Sequence, residues 1–168
     1  MPSLLESLTA AVSRYDKDDN LGAFMDAVRS LAKTADADEL VAAAGPFTDR
    51  HEVMIPVYEH VTLQRPNDAK ALVALANVYW LTGRGPDVVG ELAERAKKSD
   101  PGNRGAWHLW ALAEGDIRKR VERWTTVSKQ FPEDQLARAA LADNAAGLAG
   151  AEHDPLALDL AVKTYEGL

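Results

Sequence analysis

Nearly the whole of this 168-residue chain repeats its apolar residues every three or four positions, in about ten runs, each closed by Gly, Pro or a polar cluster. Almost nothing alternates with a period of two, so the pattern predicts helices and no sheet. The first run opens at Ser3, with Glu6 three residues on as in a capping box, and carries Leu4, Leu5, Leu8, Val12 and Tyr15 on one stripe. "DKDDN" ends it, and Asn20 starts a second run with Leu21, Phe24, Met25, Val28 and Leu31. A short third run, Asp36 to Ala44, stops at "GP". The fourth is predicted to start at Thr48 or Asp49, with Asp49 and Glu52 at capping-box spacing and a kink at Pro56. The remaining six are expected over 68–82, 86–98, 103–114, 117–130, 133–148 and 155–165.

Connections of two to six residues make consecutive helices antiparallel neighbours. Ten helices then form five hairpins of roughly 34 residues, at about 3–34, 36–65, 68–99, 103–131 and 133–167, in a single domain over 1–168. Three breaks share a signature, "RPND", "DPGN" and "FPED", with prolines at 66, 101 and 132; each is followed by an Ala-rich run, "AKALVALA", "RGAWHLWALA" or "QLARAALADNAA". One supersecondary unit is being reused.

Residues 66–134 resemble tetratricopeptide repeats. In "AKALVALANVYWLTGRGPDVVGELAERAKKSDP" the family's sequence of bulky, small and aromatic positions falls on Leu72, Leu75, Ala76, Tyr79, Gly83, Val89, Ala93, Ala96 and Pro101. One residue is inserted at "RGP", and Ala93 stands where a large aromatic is commoner. The next repeat reads Trp107, Trp110, Ala111, Gly115, Arg120, Trp124, Val127 and Pro132, with its first helix or turn shortened. Of the flanks, residues 135–167 supply Leu141 and Ala142, then a Gly/Ala-rich turn and a last helix with Ala157, Ala161 and Tyr165; residues 35–66 match mainly through Tyr58, Val61 and Pro66, and residues 3–34 through length and period, as capping repeats do. The resemblance implies an all-α, right-handed solenoid with a concave face. It also implies a non-catalytic adaptor or scaffold that binds a partner protein or peptide there.

On that resemblance the first helix of each hairpin lines the concave face. The positions are Lys70, Val73, Asn77 and Trp80 in one repeat, His108 and Leu112 in the next, and Leu136 and Asp143 in the third. Trp80 would act as anchor and Asn77 as a pair for peptide backbone; the alternative for Trp80 is packing beneath a neighbouring helix. The family's carboxylate-clamp subtype, which grips acidic chaperone tails, is disfavoured. Asn77 is kept, but Val73, Leu109, Leu136 and Ala140 occupy the other clamp positions.

Competing chemistry finds little support. Nineteen Lys and Arg against 26 Asp and Glu give a net charge of −7, which argues against nucleic acid or an anionic membrane as partner. The excess is largest in residues 1–66, with 6 against 11, or −5. With no cysteine there are no disulfides, thiol nucleophiles or Cys-held zinc. No stretch reaches the ~20 apolar residues of a membrane span and the start lacks a basic leader, so a cytoplasmic protein is expected, with no cofactor.

"HEVMIPVYEH" at 51–60 suggests a metal site with a general base, built on His51, Glu52 and Glu59. A zincin needs histidines four apart, however, and His51 and His60 are nine apart, about 180° around a helix. "DKDDNLGAFMDA" at 16–27 imitates a calcium loop, but its Gly falls at position seven and Ala27 replaces the bidentate Glu. "IRKRVER" at 117–123 reads as a solvated face or a local patch for an anion. The alternative function is a self-assembling subunit, since Leu156, Leu160, Ala161 and Tyr165 offer an apolar helix to a second copy.

Overall fold

The computed structural model describes residues 2–168, which hold ten α-helices and no strand. They are α1 Leu4–Asp18, α2 Leu21–Ala32, α3 Ala37–Ala44, α4 His51–Gln64, α5 Ala69–Leu81, α6 Pro86–Ser99, α7 Arg104–Leu112, α8 Ile117–Gln130, α9 Gln135–Glu152 and α10 Pro155–Glu166. The all-α expectation holds. Most helices start where a short polar side chain accepts an otherwise unpaired backbone N–H: Ser3, Asn20, Asp36, Asp68, Asn103, Asp116, Asp134 and Asp154 all cap in this way. Gly85, at φ 100°, turns the chain into Pro86 at the first position of α6.

Two boundaries differ from expectation. Asp49 does not cap α4; a short 3-10 turn over Gly45–Phe47 runs into Arg50, whose carbonyl takes the N–H groups of Val53 and Met54. Glu52, expected to complete a capping box, instead accepts from the Arg50 side chain at 2.6 Å. The helix then continues unbroken through the buried Pro56. The Gly/Ala-rich stretch expected as a turn after Leu148 stays helical to Glu152, and α9 closes on the left-handed His153 (φ 54°). Alanine holds that stretch in the helix, and the missing Cβ at Gly147 keeps room for Ile117, whose Cδ1 would lie 3.4 Å from it.

The chain divides into two compact units, Met1–Arg84 and Gly85–Leu168. In the first, α2 packs on α1 and α4, α3 packs on α1 and α4, and α4 lies along α5. Its core is aliphatic: Leu8, Val28, Leu40, Val53, Val57 and Val61 interlock from four helices, each at most 1% exposed. In the second, α6 lies on α7, α7 on α8, α8 on α9 and α9 on α10. Here alanines (Ala111, Ala137, Ala145, Ala157, Ala161), which let helices approach closely, share the core with Val121, Val127, Leu141, Leu148 and one large ring, Trp124. Of the positions that carried the repeat resemblance, Leu72, Ala76, Val89, Ala93, Ala96, Ala111 and Val127 are completely buried.

Candidate partner-binding faces

In the first unit, Lys70, Val73, Asn77 and Trp80 follow each other at three- and four-residue steps along α5, on the side away from the buried Leu72, Leu75 and Ala76. Lys70 and Asn77 are exposed, Val73 is half-buried, and Trp80 is 38% exposed. The larger part of Trp80 is therefore covered, with the remainder of its ring at the surface. One side of α5 presents a cation, an amide and an indole to solvent in a single stripe. Its neighbour Tyr79 faces inward instead, its hydroxyl donating to Glu59 at 2.7 Å while Arg84 lies over its ring. Burial, reinforced by the Glu59 carboxylate, pushes that phenol up to about 12.

In the second unit the predicted residues have different surroundings. His108 on α7 is half-buried, with Nε2 2.6 Å from Asp134 Oδ2 and its ring edge-on to Trp124. Asp134 is the only buried acidic or basic residue among those described, 4% exposed, and it also caps α9 by accepting from the Ala137 N–H. Arg104, one turn before His108, approaches the same carboxylate at 3.7 Å. Burial pushes the Asp134 carboxyl up, but the Ala137 N–H, His108 and Arg104 together hold it below its ordinary value. His108 therefore latches α7 to the start of α9. Leu112 and Leu136 are exposed, Leu136 by 74%. Asp143, two turns further along α9, is exposed and accepts from the Tyr165 hydroxyl. The structure gathers His108 and Leu136 near the start of α9 and leaves Asp143 beside α10.

The other sequence candidates have structural partners. Glu52 belongs to Arg50 and Glu59 to Tyr79; among the described residues no three His, Asp or Glu side chains group to hold a metal ion. In "DKDDN", Asp16 pairs with Arg50, Asp18 accepts from the Asn20 N–H, and Asn20 caps α2. The arginines of the basic run are wiring, while Lys119 is exposed. Arg118 pairs with Glu152 and Asp154, Arg120 donates to the carbonyls of Glu114 and Gly115, and Arg123 pairs with Glu114 and donates to the Trp110 carbonyl. Two features were not anticipated. Lys97 and Arg123 both lie against the Trp110 ring, at 3.6 and 4.7 Å from its centroid. A groove of about 370 Å³ runs between α1 and α2.

These features define a class: an all-α protein of ten helices in two compact units, with exposed helix faces. No family model and no curated protein matches the chain. Solved structures do, and among them are structures of MamA, a tetratricopeptide-like protein. One MamA crystal structure aligns over 99% of this chain and 94% of its own, with a TM-score of 0.66 at 12% identity. A MamA RS-1 double mutant aligns over 99% and 95%, with a TM-score of 0.63 at 16% identity. At such identities the likeness is one of fold. No helix among the described residues is long and apolar enough to cross a membrane.

Proposed function

We propose that this chain is a non-catalytic protein-interaction module that docks a partner protein or peptide on the exposed faces of first-in-hairpin helices, with the α5 face as its anchor. The observation that carries the reading is the α5 stripe. The side chains of Lys70, Asn77 and Trp80 have no hydrogen-bond or ion-pair partner among the described residues, while the opposite side of the same helix is buried. A rigid helix offering a ring, an amide and a cation supplies anchor, backbone pair and charge with little ordering cost on binding. Binding would be docking to a preformed surface, with no covalent step. Leu112 and Leu136 on the second unit are the further contact candidates, and the tetratricopeptide-like fold supports the same role.

His108 is a poor probe of this reading, because its removal strips a partner from the buried Asp134. The test uses Asn77→Ala with Trp80→Ala. Partners are captured from lysate on the wild-type chain, identified, purified and titrated against both proteins. The double variant, with unchanged circular dichroism, is expected to bind about tenfold or more weakly. Equal affinity would remove α5 as the binding face.

A further inference from the structure

We infer that copies of this chain associate head to tail, with α10 of one copy seated in the groove between α1 and α2 of the next. The inference stands apart from the partner-binding face on α5, which uses neither element.

The receiving surface is a groove walled by small side chains, Ser7 and Ala10 from α1 with Ala23 and Ala27 from α2. Tyr15 and Phe24 stack in its lining with ring centroids 4.9 Å apart, and Arg14 and Asp18 are its charges. Walls of Ala and Ser let a third helix approach the pair to helix-packing distance, about 8–10 Å between axes. The inserting surface is α10. Its inner side, Ala157 and Ala161, is buried in the core it shares with α9. Its outer side sets Leu158, Val162 and Tyr165 at four- and three-residue steps, 55%, 47% and 47% exposed, beside Leu156 at 80%. Five of the large apolar side chains left exposed fall within residues 156–168, a concentration that marks an interaction surface.

The choice of a second copy as occupant comes from a contact the molecule already repeats. The second helix of one hairpin lies along the first helix of the following hairpin in α4 with α5, in α6 with α7 and in α8 with α9, whereas at the first junction α1 lies on α3 and α2 on α4. Helix α10 is the second helix of its hairpin and α1 the first of its own, so α10 against α1 of another copy continues the same packing rule. Charge is compatible with it. Arg14 has no ion-pair partner among the described residues, and Asp159 on α10, paired with Lys163 at 2.6 Å, is exposed enough to take a second cation. The contact joins two different surfaces, so it is heterologous and each copy keeps one free face of each kind.

The test measures the mass of the 168-residue chain by light scattering after size exclusion, from micromolar to submillimolar concentration. Two variants block one face each, at exposed positions: Leu158→Glu with Val162→Glu on α10, and Ala10→Glu with Ala23→Glu in the groove. Leu156→Glu, at a side chain almost fully in solvent, replaces the first variant if that one loses helicity. Wild-type mass should rise with concentration above one chain, and each variant should stay at one chain. An equal mixture of the two variants should give a two-chain species, because each retains the face the other lacks. A wild type that stays at one chain throughout, variants that assemble like wild type, or a mixture that yields no two-chain species would each overturn the inference.

Discussion

The two units close helical hairpins by different means. In residues 1–84, branched aliphatic side chains fill the space between helices: Leu8, Leu40, Leu72, Val28, Val53, Val57 and Val61 are among the largest fully buried side chains of the protein. In residues 85–168 alanines make up half of the buried cluster, beside Val121, Val127, Leu141, Leu148 and one large ring, Trp124. The second unit adds polar fasteners at its seams, Asp134 with His108 and Arg118 with Glu152 and Asp154. A core of many medium-sized side chains spreads its stability over many contacts. One half made of alanines, with a single indole, concentrates more of it in that ring.

Truncation of that indole is the largest test of this difference. Trp124→Ala is expected to cost about 3–5 kcal/mol in urea unfolding, because it empties the largest side chain of a cluster half made of alanines, which cannot extend into the space. Val57→Ala in the first unit should cost less, since it removes two methyl groups among aliphatic neighbours able to shift. Equal losses would mean that the second unit is no more concentrated than the first.

Next in size is the Asp134 latch. Asp134→Ala removes a helix cap and the partner of His108 together, for an expected loss of about 2–3 kcal/mol. Asp134→Asn keeps a capping oxygen and isolates the charge. The folded carboxyl lies below its ordinary value, so its ionised form contributes stability above the unfolded carboxylate's pKa, about 3.9. That contribution is lost as pH falls through the lower folded value. Unfolding measured from about pH 6 down to pH 2 should therefore fall more steeply in wild type than in Asp134→Asn. Parallel curves would mean that the charge adds nothing to the cap.

Whatever depended on periodicity and caps was legible in the sequence. Ten apolar stripes became ten helices, and Ser3, Asn20, Asp36 and Asp68 cap helices at the expected starts. Features set by residues distant in sequence were not. Asp49 and Glu52 have capping spacing, but Arg50 reaches Glu52 and Asp16, and the helix starts later. The basic run read as a solvated face or a patch because nothing local shows that Glu152 and Asp154, more than thirty residues on, come to Arg118. His108 falls among the groove positions that the repeat resemblance implies. That placement is compatible with its exposure but silent on Asp134, although the Asp in "FPED" at a helix start was a clue to a fixed carboxylate nearby. For the candidate face itself, the sequence placed Lys70, Asn77 and Trp80 on one stripe, and the structure adds that Lys70 and Asn77 are exposed while the larger part of Trp80 is covered.

A smaller effect is expected at Lys97, whose side chain is 15% exposed and whose ammonium pairs with Glu94 and lies 3.6 Å from the centre of the Trp110 ring. Lys97→Met keeps the apolar stem and deletes the charge, so it should cost about 1 kcal/mol. Glu94→Gln separates the ring from the ion pair: if the ring dominates, that change costs less than Lys97→Met. The reverse order would make the carboxylate the main partner and reduce Trp110 to a packing surface.

The smallest expected change in stability, and the sharpest contrast with the second unit's latch, is Asn77→Ala. Asparagine is a poorer helix former than alanine by roughly half a kcal/mol, and at position 77 it sits inside α5 with no side-chain partner among the described residues. The substitution should therefore leave stability unchanged or raise it by up to about 0.5 kcal/mol, whereas Asp134→Ala destabilises. A residue that costs the helix something and contributes nothing to folding is what a binding surface contains. Read by urea unfolding, a loss above about 1 kcal/mol at Asn77 would instead class it with His108 as a fastener. The α5 face would then lose the observation on which its binding role rests.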